Sequence, residues 1–386
     1  MPSTKFRNYI YRAALPIFGP NANPKAEYAS YGHPLSFQDD FFRFLRKHHV
    51  LGSALLLSDS EKESELYVSH PGSAHFSGRK VFFRTASITK IATALLAMKM
   101  AEIGLLDQDA PLCSDHSFFS QFPEIRMLTV RQLLSHTSGL KDPPNLDLLL
   151  SERATLYDAL KSSSFDPSGL YFHYSNLGYG LIGSLAECIY DLPISEIMRR
   201  EIFDPLHMNA TLDPFSLVEN SIMPVNRVFP FRSGKDIRIP SVSEYDYNRT
   251  EPFYHYGLTS GGMYSDAGSV LKLLNCIKND GEGFIGAEYI RMMRTKHADY
   301  GKTAPDLSYG LGLLLIHNSG ISDSPVIGHQ GFAYGCVNGA FFDCETGNIF
   351  IFLNGGCSEA RIGRLGLSNF DLMKWAFRKE IPSWKK

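Results

Sequence analysis

The order of apolar and polar residues near the start of the chain predicts one helix and then two strands. The helix would begin at Ser36, and its apolar residues recur at helical spacing to form one buried stripe: Phe37, Phe41, Phe44 and Leu45. Two apolar runs follow at 51–57 and 65–68, with a polar turn at 59–63 between them. Such runs are typical of buried strands. Residues 1–35 lack any clear period, and we expect them to form an extension on the surface.

A third apolar run, at 81–84, leads directly into a longer helical pattern at 87–103. Gly104 would end this helix, because glycine readily adopts the left-handed conformation that closes helices. Residues 105–255 then carry short helical patterns joined by irregular stretches. The loosest of these, 213–252, contains five prolines. We therefore expect a region of helices and loops here.

Strand patterns return late in the chain, at 309–316, 335–342 and 348–353. The last two flank a polar turn at 343–347, which is typical of a hairpin. A final amphipathic helix would be capped by Ser368. This order predicts an α/β (α+β) fold in which an antiparallel sheet, built from both chain ends, is flanked by helices. A mainly helical insertion would complete it.

The predicted elements divide the chain into an extension, 1–35, and a single domain, 36–386. An α/β lobe at about 36–110 and 256–386 would enclose a helical and loop lobe at about 111–255. A length of 386 residues suits two lobes, since domains hold roughly 100–200 residues.

Composition and charge exclude several classes of function. The chain is 44% hydrophobic, which is enough for a buried core and argues against disorder. Its 38 Lys and Arg residues balance 40 Asp and Glu residues, so nucleic acid is not an expected partner. No apolar stretch reaches the roughly 18–20 residues that span a bilayer, and we expect a soluble protein without a membrane span. The six cysteines are scattered and are expected to be buried free thiols.

The N-terminus carries no convincing export signal. Basic residues (Lys5, Arg7 and Arg12) precede a short apolar run at 13–18, which Pro16 interrupts. We therefore expect a cytoplasmic protein, unless a leader has been removed from the sequence.

Three short motifs indicate other chemistries but lack the context that these need. A G-x-G-x-x-G at 178–183 could bind a dinucleotide, but a helical run at 194–202 occupies the place of the required second strand. The Gly-Lys-Thr at 301–303 lacks the earlier glycine of a P-loop. His48 and His49 are adjacent, so we expect solvated residues at a helix end rather than metal ligands.

The strongest candidate for chemistry is an S-x-x-K motif, Ser87 to Lys90, where a predicted strand meets a predicted helix. Residues three apart share a helix face, so the Lys90 amine can reach the Ser87 hydroxyl. Serine is a poor nucleophile until a base removes its proton. The N–H groups at a helix start can also stabilise an oxyanion. The motif is short, and an ordinary exposed helix start is the alternative.

Two further motifs strengthen this interpretation. In Tyr174-Ser175-Asn176, the tyrosine could share a proton with a lysine if its pKa or that of the lysine shifts by roughly 2–3 units. The alternative is a core tyrosine and a helix-capping Asn176. His329-Gln330-Gly331 lies on a predicted strand edge, where a backbone N–H could face a reacting carbonyl. The competing Lys302-Thr303-Ala304 has no strand pattern, so we favour His329.

In this order the three motifs resemble those of the serine β-lactamase and penicillin-binding peptidase superfamily. The resemblance is closest to the class C β-lactamase-like branch, which includes D-aminopeptidases, DD-peptidases and esterases and carries Y-x-N in the middle position. It extends from about residue 36 to 380 and includes the flanking stretches 133–140, 260–265 and 309–312. It implies a β-lactamase/transpeptidase-like fold.

The resemblance implies a role for each motif residue. Ser87 would be the acylated nucleophile, with Lys90 and Tyr174 as the proton-transfer pair. Asn176 would bind a substrate amide or carbonyl group. The backbone N–H groups of Ser87 and Phe332 would form the oxyanion hole.

His329 and Gly331 would also line the substrate site, and His329 would replace the lysine usual in the β-lactamases. A neutral histidine attracts a substrate carboxylate less than a fixed ammonium does, so we do not expect an efficient β-lactamase. The resemblance further implies that His136 and His173 are structural residues.

The sequence thus predicts a serine hydrolase that forms an acyl-enzyme on a small-molecule ester or amide, or on a short peptide. D-amino-acid amides are an example, and no metal or organic cofactor is expected. The alternatives are an acyltransferase of the same family, a weak β-lactamase, and a non-catalytic binding or assembly member. The natural substrate and the oligomeric state stay open.

Overall fold

The computed structural model describes most of the chain. The described residues are 4–19, 24–32, 36–69, 78–79, 81–144, 146, 155–166, 171–217, 221–223, 225, 228, 255–302, 304–317, 320–333 and 335–378. Most of the predicted loose stretch at 213–252 lies outside them.

Helices and strands both occur throughout these residues. The α-helices are α1 Thr4–Ala13, α2 Leu15–Phe18, α3 Ser36–His48, α4 Thr89–Glu102, α5 Leu112–Asp115, α6 Val130–Leu134, α7 Leu156–Ser162, α8 Asn176–Tyr190, α9 Ile194–Met198, α10 Leu258–Gly261, α11 Ala267–Lys278, α12 Ala287–Arg294 and α13 Leu367–Arg378. Short 3₁₀ helices occur at Ala86–Ile88, Ser117–Gln121 and Pro214–Ser216, and a π-helical turn at Arg199–Phe203.

The strands are β1 Lys25–Tyr31, β2 Ser53–Ser58, β3 Glu63–Ser69, β4 Phe83–Arg84, β5 Leu140–Lys141, β6 Ser164–Phe165, β7 Ala210–Thr211, β8 Tyr264–Ser265, β9 Ala298–Asp299, β10 Leu307–Tyr309, β11 Leu314–Ile316, β12 Val326–Ala333, β13 Cys336–Asp343, β14 Ile349–Asn354, β15 Arg361–Ile362 and β16 Leu365–Gly366.

Nine strands form one antiparallel sheet in the order β1-β3-β2-β14-β13-β12-β11-β10-β9. Strands from the start of the chain pair with strands from its end where β2 meets β14, for example Leu55 opposite Phe352. The predicted fold class, a sheet built from both chain ends and flanked by helices, is confirmed.

Both faces of the central strands are buried, because helices pack against each side and alternate residues of a strand point to opposite sides. On β14, Phe350 and Phe352 pack with α3 and α13, whereas Ile349 and Ile351 belong to the core that contains α4 and α11. The central strands therefore form a rigid base for residues at their ends.

Two strand predictions need revision. The predicted single strand at 309–316 is two strands, β10 and β11, joined by a tight turn in which the Gly310 N–H donates to the Leu313 carbonyl. Gly312 has φ +74°, a left-handed conformation that glycine adopts at little cost. Residues 25–31 have no clear period in the sequence but form the edge strand β1, which pairs with β3.

His48 also differs from expectation. It is only 2% exposed, and its Nε2 lies 3.0 Å from Asp371 Oδ2 on α13. The expected solvated histidine is therefore a buried link between two helices. His49, with φ +53°, follows the end of α3.

The cysteines and the helix lengths give two further findings. All six cysteines are free, and three of them (Cys276, Cys336 and Cys357) are buried, whereas Cys344 is exposed. Among the residues that the structure describes, no helix combines the length and the apolar character needed to cross a membrane.

Candidate active site

Ser87 lies in a strained turn between a short strand and the helix α4. The 3₁₀ helix 86–88 follows β4 and leads directly into α4. Ala86 has φ +52°, a conformation that costs a residue other than glycine roughly 1–2 kcal/mol. Such strain persists only where neighbouring structure imposes it, and it is frequent at functional sites. The turn therefore holds the Ser87 side chain at a defined position at the base of a cleft.

Lys90 is completely buried, and its amine contacts three oxygens. Nζ lies 3.2 Å from Ser87 Oγ, 2.8 Å from Asn176 Oδ1 and 2.6 Å from the Ser260 carbonyl oxygen. Burial lowers the pKa of Lys90 to about 7, although the negative charge of Asp142 acts in the opposite direction. A substantial fraction of Lys90 is therefore neutral near neutral pH.

The partners of Lys90 determine where its lone pair points when it is neutral. The Asn176 amide Nδ2 donates to Asp142 Oδ2 at 3.0 Å, which turns the amide oxygen of Asn176 towards Lys90. That oxygen and the Ser260 carbonyl can only accept hydrogen bonds. They take both N–H bonds of a neutral amine, and the lone pair is left to face the Ser87 hydroxyl.

Tyr174 approaches Ser87 from another side. Its hydroxyl donates to Ser87 Oγ at 2.9 Å, and its ring centroid lies 4.9 Å from the Lys90 amine. Burial raises the pKa of Tyr174 well above its ordinary value. Tyr174 is thus a neutral proton donor, and of the two predicted partners Lys90 is the one with a pKa suited to a base.

Sequence reasoning missed Asp142, which organises the Tyr174–Asn176 segment. Its carboxylate accepts from the Ser175 hydroxyl at 2.8 Å, from the Asn176 N–H at 2.9 Å, from the Asn176 amide and from the Leu177 N–H at 2.9 Å. A carboxylate at a helix N-terminus also stabilises the helix, here α8. No spacing in the sequence links Asp142 to this segment, because the contact is purely tertiary.

The predicted H-x-G motif lies on β12, where this strand loses one neighbour. β11 pairs only with residues 326–328, so beyond Gly328 β12 has a strand partner on one side, β13. The other side faces the Ser87 turn. A Cβ on Gly331 would lie 2.3 Å from the Thr85 carbonyl oxygen, so only glycine allows this approach.

His329 is 3% exposed, and both of its ring nitrogens are hydrogen-bonded within the protein. Nδ1 lies 2.6 Å from the Gln330 carbonyl oxygen, a pure acceptor, so Nδ1 carries the proton. Nε2 then accepts from the Tyr309 hydroxyl at 2.8 Å. Burial lowers the pKa of His329 to about 3, and the nearby charge of Lys90 contributes. The ring is neutral, and its role as a substrate-binding side chain stays a prediction.

The other residues that the sequence analysis considered are His136, His173 and Lys302. His136 Nδ1 accepts from the Ser175 N–H at 3.1 Å, and its ring packs against Tyr174 at 4.3 Å between centroids. His173 is exposed at the cleft, and Lys302 is exposed in the turn between β9 and β10. His136 thus lies directly behind the predicted proton-transfer pair.

The G-x-G-x-x-G at 178–183 lies within α8 and serves helix packing. A Cβ on Gly180 would lie 1.8 Å from the Tyr256 carbonyl oxygen, and one on Gly183 would lie 2.8 Å from the Thr259 side chain. The two glycines let α8 contact α10 directly. This contact places the Ser260 carbonyl against Lys90.

The cleft above Ser87 has a volume of about 660 Å³ and polar walls. Three arginines line it: Arg84, Arg361 and Arg364. The Arg361 guanidinium lies 4.2 Å from the centre of the Phe332 ring, and Glu359 lies on the same wall. Within the described ranges, no group of three or more His, Cys, Asp or Glu side chains could hold a metal ion.

Comparison with known proteins assigns the chain to a family. The family model described as beta-lactamase matches residues 37–355, most of the chain. The chain belongs to the beta-lactamase family. This confirms the resemblance that the three motifs indicate.

Two curated relatives match part of this family member. Penicillin-binding protein 4 of Amycolatopsis lactamdurans is 28% identical over 185 residues, which cover 46% of this chain and 49% of the relative. Beta-lactamase-like protein 4 of Dictyostelium discoideum is 30% identical over 214 residues, 50% of this chain and 35% of the relative. The chain therefore spans half or less of the length of these relatives.

Solved structures share the fold over more of the chain. D-amino acid amidase from Ochrobactrum anthropi SV3, complexed with L-phenylalanine amide, superposes with a TM-score of 0.68 at 21% identity, covering 88% of this chain and 97% of that one. A penicillin binding protein from Bacillus halodurans gives a TM-score of 0.62 at 20% identity, covering 82% and 94%. At these identities the likeness shows the fold.

Proposed function

We propose that this beta-lactamase family member is a serine hydrolase that forms an acyl-enzyme on an ester or amide. The observation that carries this proposal is the environment of Ser87 Oγ, which lies 3.2 Å from Lys90 Nζ and 2.9 Å from the Tyr174 hydroxyl. With its pKa lowered to about 7, Lys90 suits a base at neutral pH.

In the proposed reaction, the Ser87 oxygen attacks the substrate carbonyl carbon while its proton passes to Lys90 Nζ. The negative oxygen of the tetrahedral intermediate is stabilised by the backbone N–H groups of Ser87 and Phe332. Tyr174 donates its proton to the leaving group and regains one from Lys90. Water then attacks the acyl-enzyme, gives a proton back through the same pair, and releases the acid and Ser87.

Features of the cleft favour small substrates with an anionic group. Its volume of about 660 Å³ suits a substrate of a few residues or a small ester, and Arg84, Arg361 and Arg364 supply positive charge. The structural neighbours include a D-amino acid amidase complexed with L-phenylalanine amide, which supports amides as one substrate class for this chain.

Covalent labelling tests the proposal. The protein is incubated with a fluorophosphonate or a penicillin, and the adduct is measured by intact mass. We expect one adduct on the wild type, none on Ser87→Ala, and an unchanged adduct on Ser120→Ala, because Ser120 is an exposed serine that does not line the cleft. If no activated ester, phosphonate or β-lactam modifies the wild type, the nucleophile assignment is wrong.

A substrate panel then separates the classes of activity. It contains p-nitrophenyl esters, D-alanyl amides and a chromogenic cephalosporin, each with and without an added alcohol or amine acceptor. Turnover dominated by the cephalosporin would identify a β-lactamase, and acyl transfer to the acceptor would identify a transferase. We expect hydrolysis of the esters or amides to dominate.

A further inference from the structure

One side of the N-terminal segment formed by the helices α1 and α2 is fixed to the rim of the cleft. Tyr11 and Leu15 are 3% and 0% exposed, so this side is buried. The Tyr11 hydroxyl donates to Glu359 Oε2 at 2.7 Å. The Asn8 amide donates to the Arg361 carbonyl at 3.3 Å and accepts from the Arg361 N–H at 3.0 Å. Because Glu359 and Arg361 line the cleft, α1 lies beside its mouth.

The opposite side of this segment exposes apolar side chains. Phe6, Tyr9 and Ile17 are 53%, 69% and 73% exposed. At 100° per residue these positions fall on one face, together with Ile10 and Ala13. We call these five residues the N-terminal face. A surface helix normally presents polar residues on the side away from its core, so the largely exposed side chains of Tyr9 and Ile17 mark this stripe as a candidate docking surface.

The charge of the segment indicates which partner fits. Residues 1–19 contain Lys5, Arg7 and Arg12 and no acidic residue, although the whole chain has a formal net charge of −2. A symmetric contact between two copies would bring these like charges together, which is unfavourable. An apolar stripe on a segment whose charged residues are all Lys or Arg instead favours an anionic lipid surface.

The neighbouring hairpin β15–β16 also exposes an apolar and a basic side chain. It follows directly from Arg361, whose main chain contacts Asn8, and it exposes Ile362 to 40%. Arg364 at its tip is exposed and lines the cleft. Apolar and basic residues therefore continue from α1 to the cleft mouth.

We propose that the N-terminal face docks on an anionic membrane surface and holds the mouth of the cleft beside it. The apolar side chains would enter the headgroup region, and the basic residues of the segment would contact lipid phosphates and carboxylates. This docking lies in the interface and needs no spanning helix. It is independent of the chemistry at Ser87.

Vesicle co-sedimentation tests the docking. The full chain is mixed with vesicles of phosphatidylcholine alone, or of phosphatidylcholine with phosphatidylserine. We expect binding to the mixed vesicles only, weakened by added salt. The double variant Tyr9→Ser/Ile17→Ser should lower binding by about tenfold or more. Lys5→Gln and Arg7→Gln should each lower it by about fivefold, since each basic residue contributes about 1 kcal/mol.

Matched controls separate this surface from general stickiness. Met127 and Phe215 are 62% and 52% exposed elsewhere, so Met127→Ser/Phe215→Ser should bind like the wild type. Ser87→Ala should also bind fully, so a failed hydrolase assignment does not affect this test. Several results would overturn the proposal: no binding to the mixed vesicles, equal binding to neutral ones, or unchanged binding of Tyr9→Ser/Ile17→Ser. A loss of self-association in that variant, with no vesicle binding, would identify a second copy as the partner.

Discussion

Two buried basic side chains, Lys90 and His329, belong to the candidate active site, and they differ in whether they can act as a base near neutral pH. Lys90 and His329 are 0% and 3% exposed, and burial lowers the pKa of both. Lysine starts near 10.5, so burial lowers its pKa to about 7. Histidine starts near 6.5, and its pKa falls to about 3. The same physical effect makes a base suited to neutral pH from the lysine and a permanently neutral ring from the histidine.

Their hydrogen bonds reinforce this difference. The partners of Lys90 leave its lone pair directed to Ser87, whereas Tyr309 and the Gln330 carbonyl occupy both nitrogens of His329. We infer that proton transfer belongs to the Lys90 side of the site. The His329 side would contribute through the backbone position of β12.

The largest expected effect follows from removing the base. Lys90→Met should lower the rate of labelling at Ser87 by about 10³-fold, because a positioned base contributes roughly 10²–10⁴-fold. The measurement is the labelling rate constant with a fluorophosphonate, with a thermal melt to verify folding. Lys272→Met, an exposed lysine on α11, serves as the control and should label normally. Normal labelling of Lys90→Met would show that another group is the base.

Loss of the Tyr174 hydroxyl should have the next largest effect. Tyr174→Phe removes the 2.9 Å hydrogen bond to Ser87 Oγ and the proton donor for the leaving group. We expect a fall of about 10² in turnover of an amide, and a smaller fall for an ester with a good leaving group that needs no protonation. Tyr157→Phe is the matched control. An equal loss on both substrates would contradict the role as proton donor.

The pH dependence of labelling separates the two basic groups. Only neutral Lys90 can accept the Ser87 proton, so the rate should rise about tenfold per pH unit up to about pH 7 and then level off. His329 stays neutral throughout this range and should add no step. The rate constant for labelling is measured at a series of pH values from 5 to 9, a range that brackets the pKa of Lys90. A rate that still rises about tenfold per pH unit at pH 9 would show that burial does not lower the pKa of Lys90.

A substitution at Asp142 tests what determines the pKa of Lys90 and the position of its partners. Asp142→Asn replaces an acceptor oxygen with an NH₂ group that faces hydrogen-bond donors. The segment from Tyr174 to Leu177 should therefore shift, and the rate of labelling at Ser87 should fall by up to about 10²-fold. The Asp142 charge raises the pKa of Lys90, so its removal should move the midpoint of the pH profile to lower pH. Asp306→Asn, an exposed aspartate, should change neither quantity. A slower rate with an unmoved midpoint would indicate a structural role alone.

Local patterns in the sequence were sufficient to predict the catalytic candidates Ser87, Lys90 and Tyr174 and most strands of the large sheet. The spacing of Ser87 and Lys90 places them on one helix face, and Tyr174 is found through a second motif, Tyr174-Ser175-Asn176. Continuous apolar runs predicted the central strands, because strands that are buried on both faces carry apolar residues at successive positions. The hairpin at 343–347 was likewise predicted from its turn residues and is confirmed.

The remaining features of the site and the fold depend on tertiary contacts, which no local sequence pattern reveals. The Ser260 carbonyl orients Lys90, but any residue carries a carbonyl, and Asp142 reaches its partners only through the fold. The burial of His48 also arises from a distant helix, through Asp371. The period of an apolar run likewise cannot reveal a turn within it, so the sequence predicts one strand at 309–316 where the structure has two.

The smallest expected effect comes from His329. His329→Gln removes a buried ring that accepts from the Tyr309 hydroxyl, so the melting temperature should fall in line with a loss of about 1–3 kcal/mol. The labelling rate at Ser87 should change by less than about tenfold, because β13 still holds β12 in place. Tyr309→Phe removes the same hydrogen bond from the other side and should produce a similar fall in melting temperature. A loss in labelling as large as that of Lys90→Met, with a normal melt, would place His329 in the chemistry and remove the distinction between the two sides of the site.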